Sequence, residues 1–127
     1  MLPGLPERFE LRDISALAAH PKSTLTITFD LYLLLNGIAA PINEEMYFRG
    51  YLMPRLSRFG RWTPIVETAL FTVYHFWQPY YWISQFFFFL PIVIAVYWKR
   101  NFKLGLIVHM MLNTLCGLLT LTMVLGQ

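Results

Sequence analysis

Apolar residues run along this chain in four long blocks separated by short polar connections. The first block extends from about Leu25 to Met53 and is interrupted by Asp30, Asn36, Pro41, the Glu44–Glu45 pair and Arg49. The second runs from Trp62 to Trp77, with Pro64 near its start, where the first helical turn tolerates proline. The third, Tyr80 to Trp98, contains four consecutive phenylalanines and has Tyr and Trp at both ends, as a membrane-spanning helix with interfacial aromatic belts would. The fourth runs from Leu104 to Leu125. Each block is of the order of the ~20 residues that a bilayer crossing takes. The pattern predicts an all-α, integral membrane helical bundle of about four transmembrane helices. The first helix should be kinked or split near Pro41, because proline removes a backbone donor and clashes with the preceding turn.

Composition agrees with this pattern. Of 127 residues, 57% are hydrophobic and 13% charged, against roughly a quarter charged in an average soluble domain. A soluble all-helical core is disfavoured because the third block has no polar face. A soluble nucleic-acid-binding module is disfavoured too, and a single cysteine excludes an internal disulfide scaffold. The chain divides into a polar N-terminal arm, residues 1–23, and a membrane-embedded core, residues 24–127. The arm lacks the pattern of a signal peptide, and Phe9, Leu11, Ile14, Leu17 and Ala18 suggest a short amphipathic surface helix. Arg55, Arg58 and Arg61 follow the first block, and Lys99, Arg100 and Lys103 follow the third. With four crossings both loops share a side, which the positive-inside rule makes cytoplasmic.

Ionisable groups inside a bilayer are costly and usually functional. Here they are Glu44, Glu45, Arg49, His75 and His109, with Asn113 beside them. Glu45 and Arg49 are four residues apart, so they share a helix face as an internal ion pair. Glu44 is turned about 100° from Glu45. Phe48 occupies the position one turn on, so this carboxylate is left for chemistry as a general base. His109 and Asn113 also share a face, either as an interhelical hydrogen-bonding pair or as two donors converging on an oxyanion. Counted from the basic loops at about 1.5 Å per residue, Glu44 lies ~16 Å deep, His75 ~18 Å, Asn113 ~15 Å and His109 ~9 Å, so one cavity can hold all four. Glu67 lies two turns from His75, too far for contact, and is read as a partner of the basic loop near it. Cys116 is read as a packing residue and His20 as solvent-facing.

The motifs Glu44-Glu45-Met46-Tyr47-Phe48-Arg49, Phe71-Thr72-Val73-Tyr74-His75 and His109-Met110-Met111-Leu112-Asn113 occur in this order, each in an apolar block. They resemble the EExxxR, FxxxH and HxxxN motifs of the CPBP family, the CAAX-protease and bacteriocin-processing intramembrane proteases. The resemblance covers about Asp30 to Leu125. It implies a glutamate-dependent endopeptidase in the plasma membrane of a prokaryote, acting on a membrane-associated peptide or protein substrate. Glu44 and His75 would activate a water, His109 and Asn113 would stabilise the oxyanion, and Glu45 and Arg49 would support the site. No cofactor is expected; the alternative is zinc held by Glu44, His75 and His109. Larger prenyl-protease relatives carry extra membrane helices, so an oligomer, a partner subunit or a longer natural chain could supply the missing wall of the site. A membrane immunity or interaction protein that keeps the motifs for packing is the non-enzymatic alternative.

Overall fold

The computed structural model describes residues 19–125, so the amphipathic helix expected within the arm lies outside the described residues. The described residues form a bundle of four helices with no strand among them. Helix α1 (22–55) is followed by a tight turn, Leu56–Trp62, and then by α2 (Thr63–Tyr74), α3 (Trp82–Lys99) and α4 (Phe102–Leu125). Three stretches are long and apolar enough to cross a membrane: Lys22–Tyr74, which contains both α1 and α2, Pro79–Lys99 and Phe102–Leu125. The all-α membrane bundle read from the sequence is therefore borne out. The second block is the short one: α2 has 12 residues, about 18 Å of helix. Many large apolar side chains face outward, among them Ile83, Phe87 and Trp98, as a lipid-facing surface requires.

The irregularity expected at Pro41 takes the form of a π-helical turn. Helical backbone angles continue through α1, but Leu33–Ala39 is π-helical and the Ala40 N–H bonds to Leu35 O, five residues back. In that register the donor for Asn36 O would be residue 41, which as proline has none. Asn113 of α4 supplies the missing donor: its Nδ2 donates to Asn36 O at 2.9 Å. A second π-helical turn, Met46–Leu52, carries Arg49.

Gly60 ends the first stretch, with φ 55° and ψ −129°, a conformation that side-chain-bearing residues rarely adopt. Thr63 Oγ1 then donates to Leu56 O at 2.9 Å, closing the turn into α2, and Pro64 sits in the first turn of that helix as expected. Tyr97 Oη donates to Gly60 O at 3.0 Å, so the connection after α1 and the end of α3 lie together. Both basic loops therefore occupy one end of the bundle.

Helix α1 lies along α4, α2 lies along α3, and α3 closes against α4. At Gly117 a Cβ would come within 2.7 Å of Leu33 Cδ2, so α1 and α4 approach closely through a residue with no side chain. The core has three apolar groups: Leu25, Phe29 and Val124 at one end, Phe48, Phe71 and Phe89 in the middle, and Met53, Val93 and Val96 towards the basic loops. Cys116, read from the sequence as a packing residue, is exposed. His20 is exposed, in agreement with the sequence reading.

Candidate active site

The middle apolar group supports a continuous chain of ionisable side chains that starts on α2, crosses α1 and α4, and returns to the end of α2. Its first member is Glu67, fully buried. The sequence reading paired Glu67 with the basic loop; instead its Oε1 lies 3.4 Å from Arg49 Nε. The correction has a simple cause. Glu67 points from the second turn of α2 towards α1, away from the connection, and a carboxylate without water must find a cation close by. Arg49 Nη1 lies 3.2 Å from Glu45 Oε1, the i,i+4 pair expected from spacing, and the guanidinium sits 4.4 Å from the centre of the Phe71 ring. Glu45 Oε1 also accepts from His109 Nδ1 at 2.9 Å.

Two imidazoles reach Glu44, one to each oxygen. His109 Nε2 lies 3.6 Å from Oε2, and His75 Nε2 lies 3.8 Å from Oε1. Both distances are too long for a direct hydrogen bond. The Glu44 and His75 side chains are 14% and 13% exposed, so this end of the chain opens outward while Glu45, Arg49 and Glu67 are sealed. A cavity of about 310 Å³ lined by Asn43, Glu44, Tyr47, Phe48 and Tyr74 opens beside Glu44.

Hydrogen bonding sets the tautomer of both rings. Helix α2 ends at Tyr74, and His75 is the first residue beyond it, with its N–H turned back to Thr72 O at 3.1 Å. That bond leaves Phe71 O without its usual partner, and His75 Nδ1 fills the gap at 2.9 Å. A carbonyl only accepts, so Nδ1 carries the hydrogen and Nε2 is free to take a proton on the Glu44 side. Trp82 Nε1 donates to His75 O at 3.1 Å, pinning the loop from α3. In His109, Nδ1 carries the hydrogen towards Glu45, and Nε2 faces Glu44. A carboxylate that orients an imidazole in this way fixes its tautomer and direction. Phe71, fully buried, packs edge-on to both rings, with centroids 4.9 Å from His75 and 5.9 Å from His109.

Of the residues singled out in the sequence, Glu44, Glu45, Arg49, His75 and His109 meet in this chain. Asn113 makes no side-chain hydrogen bond to them among the described residues; one of its amide hydrogens is committed to Asn36 O. No group of three or more His, Cys, Asp and Glu side chains is arranged to hold a metal ion among the described residues. Two participants were missed from sequence. The first is Glu67, whose signal was an acid four residues before Phe71 on the His75 stripe. The second is Gly105, four residues before His109: a Cβ there would come within 2.6 Å of Glu45 Oε2 and 3.0 Å of Val96 Cγ2. Only a residue without a side chain leaves room for the Glu45 carboxylate at that point of α4.

Residues 26–115 match the family described as type II CAAX prenyl endopeptidase Rce1-like. The chain belongs to this family. The matched region contains all three motifs and every member of the buried chain from Glu44 to His109. At family level the protein is a CAAX-type intramembrane endopeptidase, a hydrolase embedded in a membrane. No curated protein and no solved structure matches the chain.

Proposed function

We propose that this CAAX-type endopeptidase is of the glutamate-dependent kind and hydrolyses a peptide bond of a membrane-associated substrate near the cytoplasmic side of the bilayer. The observation that carries this reading is the partly open carboxylate of Glu44 with an imidazole Nε2 facing each oxygen. Spacings of 3.6–3.8 Å suit groups that share a bound water. Glu44, helped by His75 Nε2, accepts a proton from that water as its oxygen attacks the carbonyl carbon. His109 Nε2 faces the same point and donates to the developing oxyanion as the imidazolium, with Glu45 as its counter-charge. The remaining amide hydrogen of Asn113 supplies the second donor. Collapse of the intermediate breaks the C–N bond, the leaving amine takes the proton back from Glu44, and carboxylate and amine products depart. Glu45, Arg49 and Glu67 hold His109 in place. The bilayer, and a second copy or partner subunit on the open side of Glu44, complete the enclosure.

Two experiments test parts of this reading. Activity in liposomes is expected to survive exhaustive chelation. Loss of activity restored by Zn²⁺ alone would instead make Glu44, His75 and His109 metal ligands. Gly105→Ala is expected to lower kcat by about 10²-fold, the scale of an ~1 Å misplacement, because the new methyl displaces the Glu45 carboxylate that orients His109. Helix content should be unchanged by circular dichroism. An unchanged kcat would remove Glu45 from the supporting role.

A further inference from the structure

A cavity of about 750 Å³ lies between the two basic loops and is not used by the chemistry above. Its size is within the range of small-molecule and peptide sites. Arg49 lines its inner wall, Arg61 and Arg100 line its outer part, and Val96, Tyr97 and Phe102 contribute apolar surface. No Asp or Glu lines it. Arg61 and Arg100 have no acidic partner among the described residues. Arg49 is 4% exposed; its Nη1 lies 3.2 Å from Glu45 Oε1 and its Nε 3.4 Å from Glu67 Oε1, and none of its guanidinium nitrogens makes a hydrogen bond among the described residues. Two accessible arginines without an acidic partner, lining a cavity that no carboxylate lines and that is backed by the guanidinium of Arg49, call for an oxyanion.

We propose that this cavity receives the free C-terminal carboxylate of the substrate, an inference that rests on the proteolytic reading above. A CAAX motif is a cysteine followed by the last three residues of a chain. Any bond cut within it lies at most three extended residues, about 10 Å, from the terminal carboxylate. Along α1, Arg49 is about 7.5 Å and Met53 about 13.5 Å from Glu44, towards the basic loops. A carboxylate about 10 Å from the cut therefore falls at the depth of this cavity. Arg61 and Arg100 then act as a ruler: they accept a chain that ends there and disfavour one that continues or is capped.

The test uses the full chain in liposomes and two prenylated peptides ending in Cys plus three residues, identical except for a C-terminal acid or amide. The acid is expected to be cleaved with about 10–100-fold higher kcat/KM, mainly through KM, the scale of a charge-assisted contact. Arg61→Gln and Arg100→Gln should each bring the acid towards the amide while leaving cleavage of the amide unchanged. Equal cleavage of acid and amide by the unaltered chain overturns the proposal, as does a preference that persists in both variants. A rate that follows anionic lipid content but not the peptide terminus would make the cavity a headgroup site and also overturn it. If neither peptide is cleaved, the proteolytic reading has failed. Binding of the two peptides to Glu44→Gln protein, followed by fluorescence, then decides the carboxylate site on its own: stronger binding of the acid upholds it and equal binding refutes it.

Discussion

Glu44→Gln is expected to lower kcat about 10³-fold, with KM changed little and the protein still folded and membrane-inserted. The substitution keeps the size and one acceptor oxygen of the side chain but removes its capacity to take a proton, and general-base groups contribute about 10²–10⁴-fold. The packing consequence is small because Glu44 is the partly open member of the chain, with both imidazole contacts beyond hydrogen-bond length. His75→Ala should cost a similar factor, since it removes the Nε2 acceptor that faces Glu44. His109→Ala should cost as much and also leave Glu45 Oε1 without its 2.9 Å donor, so its loss of activity is accompanied by lower stability. Cleavage of a prenylated peptide in liposomes, with insertion checked by alkaline extraction, measures all three. Full biological activity in all three variants would overturn the proteolytic reading in favour of a non-catalytic immunity or interaction protein.

The second large effect is on stability. Arg49→Met is expected to destabilise the folded protein by about 3–5 kcal/mol, because it strands buried charge. One guanidinium serves two carboxylates that are nearly or wholly buried, Glu45 and Glu67, at 3.2 and 3.4 Å, and rests against the Phe71 ring. Removing it leaves both acids without a cation. Glu67→Gln keeps the Arg49–Glu45 pair and a neutral acceptor near Nε, so a smaller loss of about 1–3 kcal/mol is expected. Reversible unfolding in mixed micelles gives both numbers. Equal losses, or none for Arg49→Met, would mean that the triad does not form.

The sequence contained the elements and most of the chemistry. Four apolar blocks, aromatic belts and two basic loops determine a helical membrane bundle, because a bilayer leaves a chain few other ways to satisfy its backbone. Helical spacing was enough to pair Glu45 with Arg49 and to leave Glu44 without a basic partner, since i,i+4 geometry is local. The position of the π-helical turn was legible only as an irregularity at Pro41. What filled its missing hydrogen bond, Asn113 from 77 positions along the chain, was not.

Tertiary structure decided what depends on which helix faces which. It turned Glu67 inward to Arg49 instead of towards the basic loop and left Cys116 exposed. It also ended α2 at Tyr74, so that His75 could turn back onto Phe71 O and present Nε2 to Glu44. The physical reason is the same in each case. Period and spacing specify the face a side chain occupies on its own helix, but a buried charge or an unpaired carbonyl is satisfied by whatever the neighbouring helix brings within about 3 Å, and that neighbour is known only once the helices have packed.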